Sequence, residues 1–358
     1  MTNETHSSQH EHIDDPPIRG LDLTLATLLL LALLLGTTGN LTSLYYFSKQ
    51  VPRSANSCYF KRIYQTISSV DLIVCISLFP VIEAFFRPHE EEPVLFGAPW
   101  FCYSWGLLWE VLPAISVFLV ATLSISRLVL LLSHTMQLRA AVFGVFIGGY
   151  VLLTVGVKLG LLISRNKIVY WMIARHCIMV YDDPESQAAE LDFDANQLKT
   201  TVVMMVQLAL PIFPVAVSLG ITMATLYHMK RTVKRVKSSS EPQRQAAITV
   251  VLVTFVYIIF NLPVVVHFAL ILDCVAASEV CHYESIYSSA SSYYYMWPFM
   301  YVVCVALNST VNPLVYFLRM KDFRQFVGET TRSANSNTDS GRSAPGPALT
   351  SNVLTSCA

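Results

Sequence analysis

Residues Leu307–Val327 read LNSTVNPLVYFLRMKDFRQFV. The stretch opens inside a hydrophobic run, where Asn312-Pro313 places an amide and a helix breaker, and Tyr316 follows about one turn later. Polar groups inside a lipid-spanning helix are costly and face a partner or a cavity. A proline there frees a backbone carbonyl that neighbours or water must satisfy. Beyond Tyr316 comes a short basic and aromatic segment, Arg319–Val327. The stretch reads as the cytoplasmic end of a last membrane helix with a working polar interior.

The whole composition agrees with a membrane setting. Of 358 residues, 54% are hydrophobic and only 13% are charged. A soluble domain needs more polar surface than that. Eight cysteines spread over such a length are not a disulfide framework. The first twenty residues are polar and acidic with no basic n-region, so no cleaved signal peptide is expected.

Seven apolar runs, at about 22–48, 64–87, 100–132, 140–163, 199–229, 246–272 and 291–318, each reach the ~20 residues a spanning helix requires. Charge sorts the loops between them. Lys49, Arg53, Lys61 and Arg62 flank the first loop, and Lys230, Arg231, Lys234, Arg235, Lys237 and Arg244 fill the loop after the fifth run. Glu90–Glu92, Asp182, Asp183, Glu185, Glu190, Asp192, Asp194, Asp273, Glu279 and Glu284 lie on the other side. The positive-inside rule therefore puts the N-terminus outside and the C-terminus inside. The expected organisation is an extracellular tail over 1–21, a transmembrane domain over 22–318, an amphipathic helix over 319–328 and a disordered cytoplasmic tail over 329–358. The fold class is an all-α membrane protein, a seven-transmembrane helix bundle with a short amphipathic eighth helix. That last helix would bury Phe323, Phe326 and Val327 and offer Arg319, Lys321 and Arg324 to lipid headgroups. Asn3 begins a glycosylation sequon, usable if this end is outside.

Several side chains carry chemistry, each with a plainer alternative. Cys102 and Cys177 both fall on the oxidising side, where a bridge would persist; two free thiols are the alternative. Cys274 and Cys281 form a possible second bridge, and Cys75 and Cys304 read as packing residues. Asp71 sits mid-membrane in the second run. Asn40, Ser116, Asn308, Ser309 and Asn312 offer it oxygen-rich company, with Asn308 and Asn312 on one helix face. Such a cluster suits a hard monovalent cation with water, or else a protonated, hydrogen-bonded structural aspartic acid. Arg127, at the inner end of the third run, reads by chemistry alone as a snorkelling anchor.

Taken together these residues resemble the rhodopsin-like (class A) G-protein-coupled receptors over about 22–328, as a divergent orphan-type member. The likeness rests on Gly39-Asn40, Asp71 with Pro80, Trp100-x-Cys102, Arg127, Pro263, Asn312-Pro313-x-x-Tyr316 and Phe323, in that order. Arg127 follows Cys102 by 25 residues (127 − 102), the family's spacing. The resemblance implies a bound sodium ion at Asp71, Ser116, Asn308, Ser309 and Asn312 as the only cofactor. It implies that Arg127 is the switch that meets a heterotrimeric G protein, with Tyr316, Asn312 and Pro313 moving with it. Departures stand beside these matches. The family's Asp-Arg-Tyr is Ser126-Arg127-Leu128, and the facing acid of the sixth helix is replaced by Gln243, with Glu241 two residues away. Less restraint on Arg127 predicts raised basal activity or a different inner lock. The sixth-helix tryptophan is Asn261, and the fourth helix has no tryptophan.

The same likeness argues against two ligand classes. The amine-pairing aspartate is Trp109 here, and the retinal-bearing lysine is Ala306. What remains for a ligand is Trp105, Trp109, Glu110, Asn261, His267 and Trp297, fitting a peptide or a chemosensory small molecule. Ser and Thr residues of the tail, from Thr330 to Ser340, would meet receptor kinases and arrestin. Membrane lipid is a partner; nucleic acid is not. The rival class is a small transporter or channel, which an intramembrane aspartate and broken helices also suit. No His-x-x-x-His, Gly-x-Ser-x-Gly or P-loop occurs in the apolar runs, so an enzyme is not expected.

Overall fold

The leucine-rich run Leu28–Leu35 has neither proline nor a charged side chain to interrupt it, and it lies inside one long helix, α1 (Pro16–Lys49). The computed structural model describes residues 16–52, 54–86, 95, 98–132, 140–163, 166–171, 176–181, 215–224, 227, 241–276 and 291–339. Ser54 caps the next helix, α2 (Ala55–Ile76): its backbone is extended and its hydroxyl accepts the Ser57 N–H at 3.2 Å. This side-chain cap satisfies a donor the helix itself cannot, and it starts the second span at Ala55 rather than near 64. Pro80 cannot donate to a carbonyl one turn back. The chain therefore turns at Ser77 and Leu78, whose N–H groups bond to Ile73 (2.9 Å) and Cys75 (3.2 Å). It resumes as α3 (Phe79–Phe86), the second half of the same span.

The third span is α4 (Pro99–Leu132), which runs through Pro113; the fourth is α5 (Ala140–Ile163). After α5 come two antiparallel strands, β1 (Asn166–Trp171) and β2 (His176–Tyr181), in register from Asn166↔Tyr181 to Trp171↔His176. The sequence reading placed only a loop here. Ile168, Val169, Tyr170, Ile178 and Val180 are the β-branched and aromatic residues that a pleated surface favours, and the hairpin lies against α4. The remaining helices are α6 (Val215–Ala224), α7 (Glu241–Ala276), α8 (Ser291–Arg319) and α9 (Lys321–Asp339). Four described helices, Leu23–Lys49, Ala55–Phe86, Trp100–Leu130 and Met300–Arg319, are long and apolar enough to cross a membrane. Gly144–Val157, Val215–Ala224 and Ile248–Pro263 are shorter apolar helices. These are the seven members of an all-helical transmembrane bundle.

The bundle closes around α8, which packs on α1, α2 and α7, while α4 packs on α2, α5 and α7. Its dry core includes Ile63, Ile67, Leu78, Val81, Leu119, Leu123 and Tyr316. Large apolar side chains also cover the outside: Leu35 is 61% exposed, Val145 76% and Leu152 75%. Such a surface is a liability in water and the normal one against lipid tails. Two glycines bring α1 close to its neighbours. A Cβ on Gly36 would collide with Cys75 Sγ of α2, and one on Gly39 would come within 2.8 Å of Pro313 in α8.

After Arg319 the chain turns one corner without losing hydrogen bonds, the Met320 N–H bonding to the Tyr316 carbonyl at 2.8 Å. Aromatic rings hold α9 to α1. Tyr46 meets Phe323 at 5.0 Å and Phe326 at 5.4 Å, and Tyr45 meets Phe326 at 5.5 Å. The amphipathic helix expected over 319–328 extends to Asp339, into the stretch read as disordered tail.

Candidate functional site

The polar centre forms where α1, α2 and α8 meet. Asn312 Nδ2 donates to Asp71 Oδ2 at 2.7 Å, and Ser309 also hydrogen-bonds to that carboxylate. Asn40 of α1 donates to the carbonyls of Gly36 (2.9 Å) and Ser309 (3.0 Å). Asp71, Ser116, Asn308, Ser309 and Asn312 are all buried. The structure thus brings Asp71, Ser309 and Asn312 into hydrogen-bond contact and sets Asn40 on the Ser309 carbonyl, while Ser116 of α4 and Asn308 of α8 are buried. It adds Ser68, one turn before Asp71 on the same face and fully buried. Four buried oxygens on α1, α2 and α4, Asn40 Oδ1, Ser68 Oγ, Asp71 Oδ1 and Ser116 Oγ, have no hydrogen-bond partner among the described residues. Buried polar atoms left unpaired are expensive, and a set of carboxylate, amide and hydroxyl oxygens suits a hard cation with water.

Toward the Trp100 end, Trp105 and Trp109 stack at 5.0 Å and 24° on one face of α4. Their indoles differ in what they do. Trp105 Nε1 donates to the Ser77 carbonyl at 2.9 Å, at the break between α2 and α3, so its donor is used inside the fold. Trp109 Nε1 is buried with no partner among the described residues. The Trp109 carbonyl loses its helical donor to Pro113, and the Tyr301 hydroxyl of α8 bonds to it instead at 3.4 Å. Asn261 of α7 is buried, its amide donating to the Tyr257 carbonyl at 2.9 Å. The side chains of Glu110, His267 and Trp297 lie outside the described residues.

Cys102 is buried in the first turns of α4, and Cys177 stands in β2 opposite Tyr170. The side chains of Cys177 and Cys274, and the whole of Cys281 and Asn3, lie outside the described residues. Cys75 and Cys304 are free and buried, as packing residues.

At the opposite end Arg127 stands over the face of Phe60, its guanidinium carbon 3.5 Å from the ring centroid. Its Nε has no hydrogen-bond partner among the described residues. Ser126, in the place of the acid, shares a 2.7 Å hydrogen bond with the Tyr59 hydroxyl. Two residues earlier, Ser124 shares a 2.7 Å hydrogen bond with Thr254 of α7. Tyr316 is fully buried, edge-on to Tyr64 (5.4 Å) and Phe47 (5.8 Å). Beside them a cavity of about 420 Å³ is lined by Phe60, Lys61, Tyr64, Arg127, Thr222 and Met320, among others. The side chain of Gln243 lies outside the described residues. None of the Tyr59, Phe60 and Thr254 contacts was read from the sequence. Their only signal was that Ser126 had replaced an acid.

Among solved structures the chain matches the crystal structure of squid rhodopsin with a TM-score of 0.61 at 13% identity, over 92% of this chain and 93% of that one. At that identity the likeness is one of fold, and the bundle has the rhodopsin-like fold. No family model and no curated protein matches the sequence.

Proposed function

We propose that this protein is a G-protein-coupled receptor that converts binding of an extracellular ligand into activation of a heterotrimeric G protein. The observation that carries the reading is the Asn312–Asp71 bond at the centre of a rhodopsin-like bundle. It joins the second and seventh spans between an aromatic site at one end and a cationic side chain at the other. A change in helix packing at either end must pass through it.

In this reading the protein sits in the plasma membrane, and the loop charges favour an extracellular Trp100 end and a cytoplasmic Arg127 end. Cys102 pairs with Cys177, holding the β1–β2 hairpin over the mouth of the bundle. The ligand would meet Trp109, whose indole N–H is unspent, together with the other residues the sequence offers for it, Glu110, Asn261, His267 and Trp297. Trp105 supports from behind. A peptide or a chemosensory small molecule with a hydrogen-bond acceptor fits such a wall. Ala306 stands where a retinal-bearing lysine would, so the likeness to rhodopsin carries fold and not photochemistry. A sodium ion with water would take the unpaired oxygens around Asp71 and favour the resting arrangement. Arg127 engages the G protein once the sixth span moves, with Tyr316 following. The Ser and Thr residues from Thr330 onward would recruit receptor kinases and arrestin.

The test is ligand-free signalling through a panel of G-protein sensors in cells, wild type beside Arg127→Ala at equal surface density. Basal coupling that vanishes in Arg127→Ala supports the reading. An undiminished signal in that variant would sink the role of Arg127.

A further inference from the structure

We infer that Phe60 and Tyr59 of α2 are the positioning residues of the Arg127 switch, taking over the restraint that a neighbouring acid would supply. The inference rests on the receptor reading of Arg127. Tyr59 and Phe60 are adjacent in a helix, and so are Ser126 and Arg127. Adjacent helical side chains point about 100° apart. One α2 residue therefore grips Ser126 by a 2.7 Å hydroxyl pair while the other faces the guanidinium at 3.5 Å. Two contacts in different directions fix the rotation of the α4 end as well as its distance from α2.

The chemistry suits a restraint that can be released. The face of an aromatic ring attracts a cation, more so when both are partly out of water. Unlike a carboxylate, Phe60 holds Arg127 without neutralising it, so the charge stays available to an incoming partner. The cavity beside Phe60 leaves the guanidinium room to leave the ring. The same α4 end is tied to α7 by the Ser124–Thr254 bond, both residues being almost fully buried. Outward movement of α7 has to break that bond and leave two buried hydroxyls to find new partners. The clamp thus runs α2–α4–α7, without an acidic group among the described residues that form it. It makes the resting output depend on Phe60 rather than on an acid.

The experiment uses the full chain, purified in lipid nanodiscs, with ligand-free nucleotide exchange on the coupling G protein and the melting temperature as readouts. A half-buried cation–π contact shifts a two-state balance by roughly fivefold to tenfold. Phe60→Leu should raise exchange by about that factor, Phe60→Trp should leave it within about twofold, and Thr254→Val should raise it independently of either. In an Arg127→Gln background Phe60→Leu should lower the melting temperature less than it does beside Arg127. Equal exchange from Phe60→Leu and Phe60→Trp, or melting shifts that simply add, would overturn the clamp. Silence of every variant on every G protein, with the melting coupling intact, would instead overturn the receptor reading and reduce the clamp to a structural contact.

Discussion

The two stacked tryptophans show how far a residue type alone misleads. Trp105 and Trp109 are chemically identical and one turn apart, yet only Trp105 has its indole N–H bonded, to Ser77. Trp105→Phe leaves that buried carbonyl unpaired and should cost about 1–3 kcal/mol, read as a lower melting temperature in detergent. Trp109→Phe removes a donor that bonds nothing in the described structure, so stability should hold while ligand affinity falls. Asp71 is argued at the same scale. If a cation occupies the oxygens around it, exchanging sodium for N-methylglucamine should lower the melting temperature of the wild type by a few degrees. Asp71→Asn and Ser116→Ala should flatten that dependence. A wild type indifferent to sodium would leave Asp71 as a structural acid held by Asn312.

At the scale of elements, close approach is decided by small residues. Gly39 sits under Pro313, so Gly39→Val must push α1 away from α8 and should destabilise by about 1–3 kcal/mol. Gly148, in α5, has nothing within 4 Å of where a Cβ would stand. Gly148→Ala should therefore stabilise by roughly 0.5–1 kcal/mol through helix propensity alone. Thermal melting of the two variants side by side separates packing from backbone entropy. The spans themselves were legible as apolar runs, and five helices begin or end within a few residues of expectation. The start of α2 and the length of α9 were not. A serine cap at Ser54 starts α2 before its apolar run, and α9 continues past Gly328 through a Ser-, Thr- and Asn-rich stretch whose intrinsic propensity does not announce a helix. The hairpin after α5 escaped for the opposite reason: its apolar residues are too few to stand out between membrane runs.

For the whole molecule, the proposed orientation rests on charge sorting, and it is checked at Asn3. Asn3→Gln should abolish a glycan-dependent gel shift if the N-terminus is outside, and an epitope there should stain on intact cells. An unglycosylated, internally stained N-terminus would invert the topology. What the sequence by itself determined is the number of spans, their approximate limits, the polar residues that cannot face lipid and the order of motifs. Each is a local property, set by hydrophobicity, charge and helix breakers along the chain. Only the tertiary structure decided which of those residues share a site and which spend their hydrogen bonds on the fold. Asp71 and Asn312 are 241 residues apart, and Tyr59 and Ser126 are 67 apart. Partners that distant are chosen by helix rotation and packing, because a buried donor takes whichever acceptor the neighbouring helix presents.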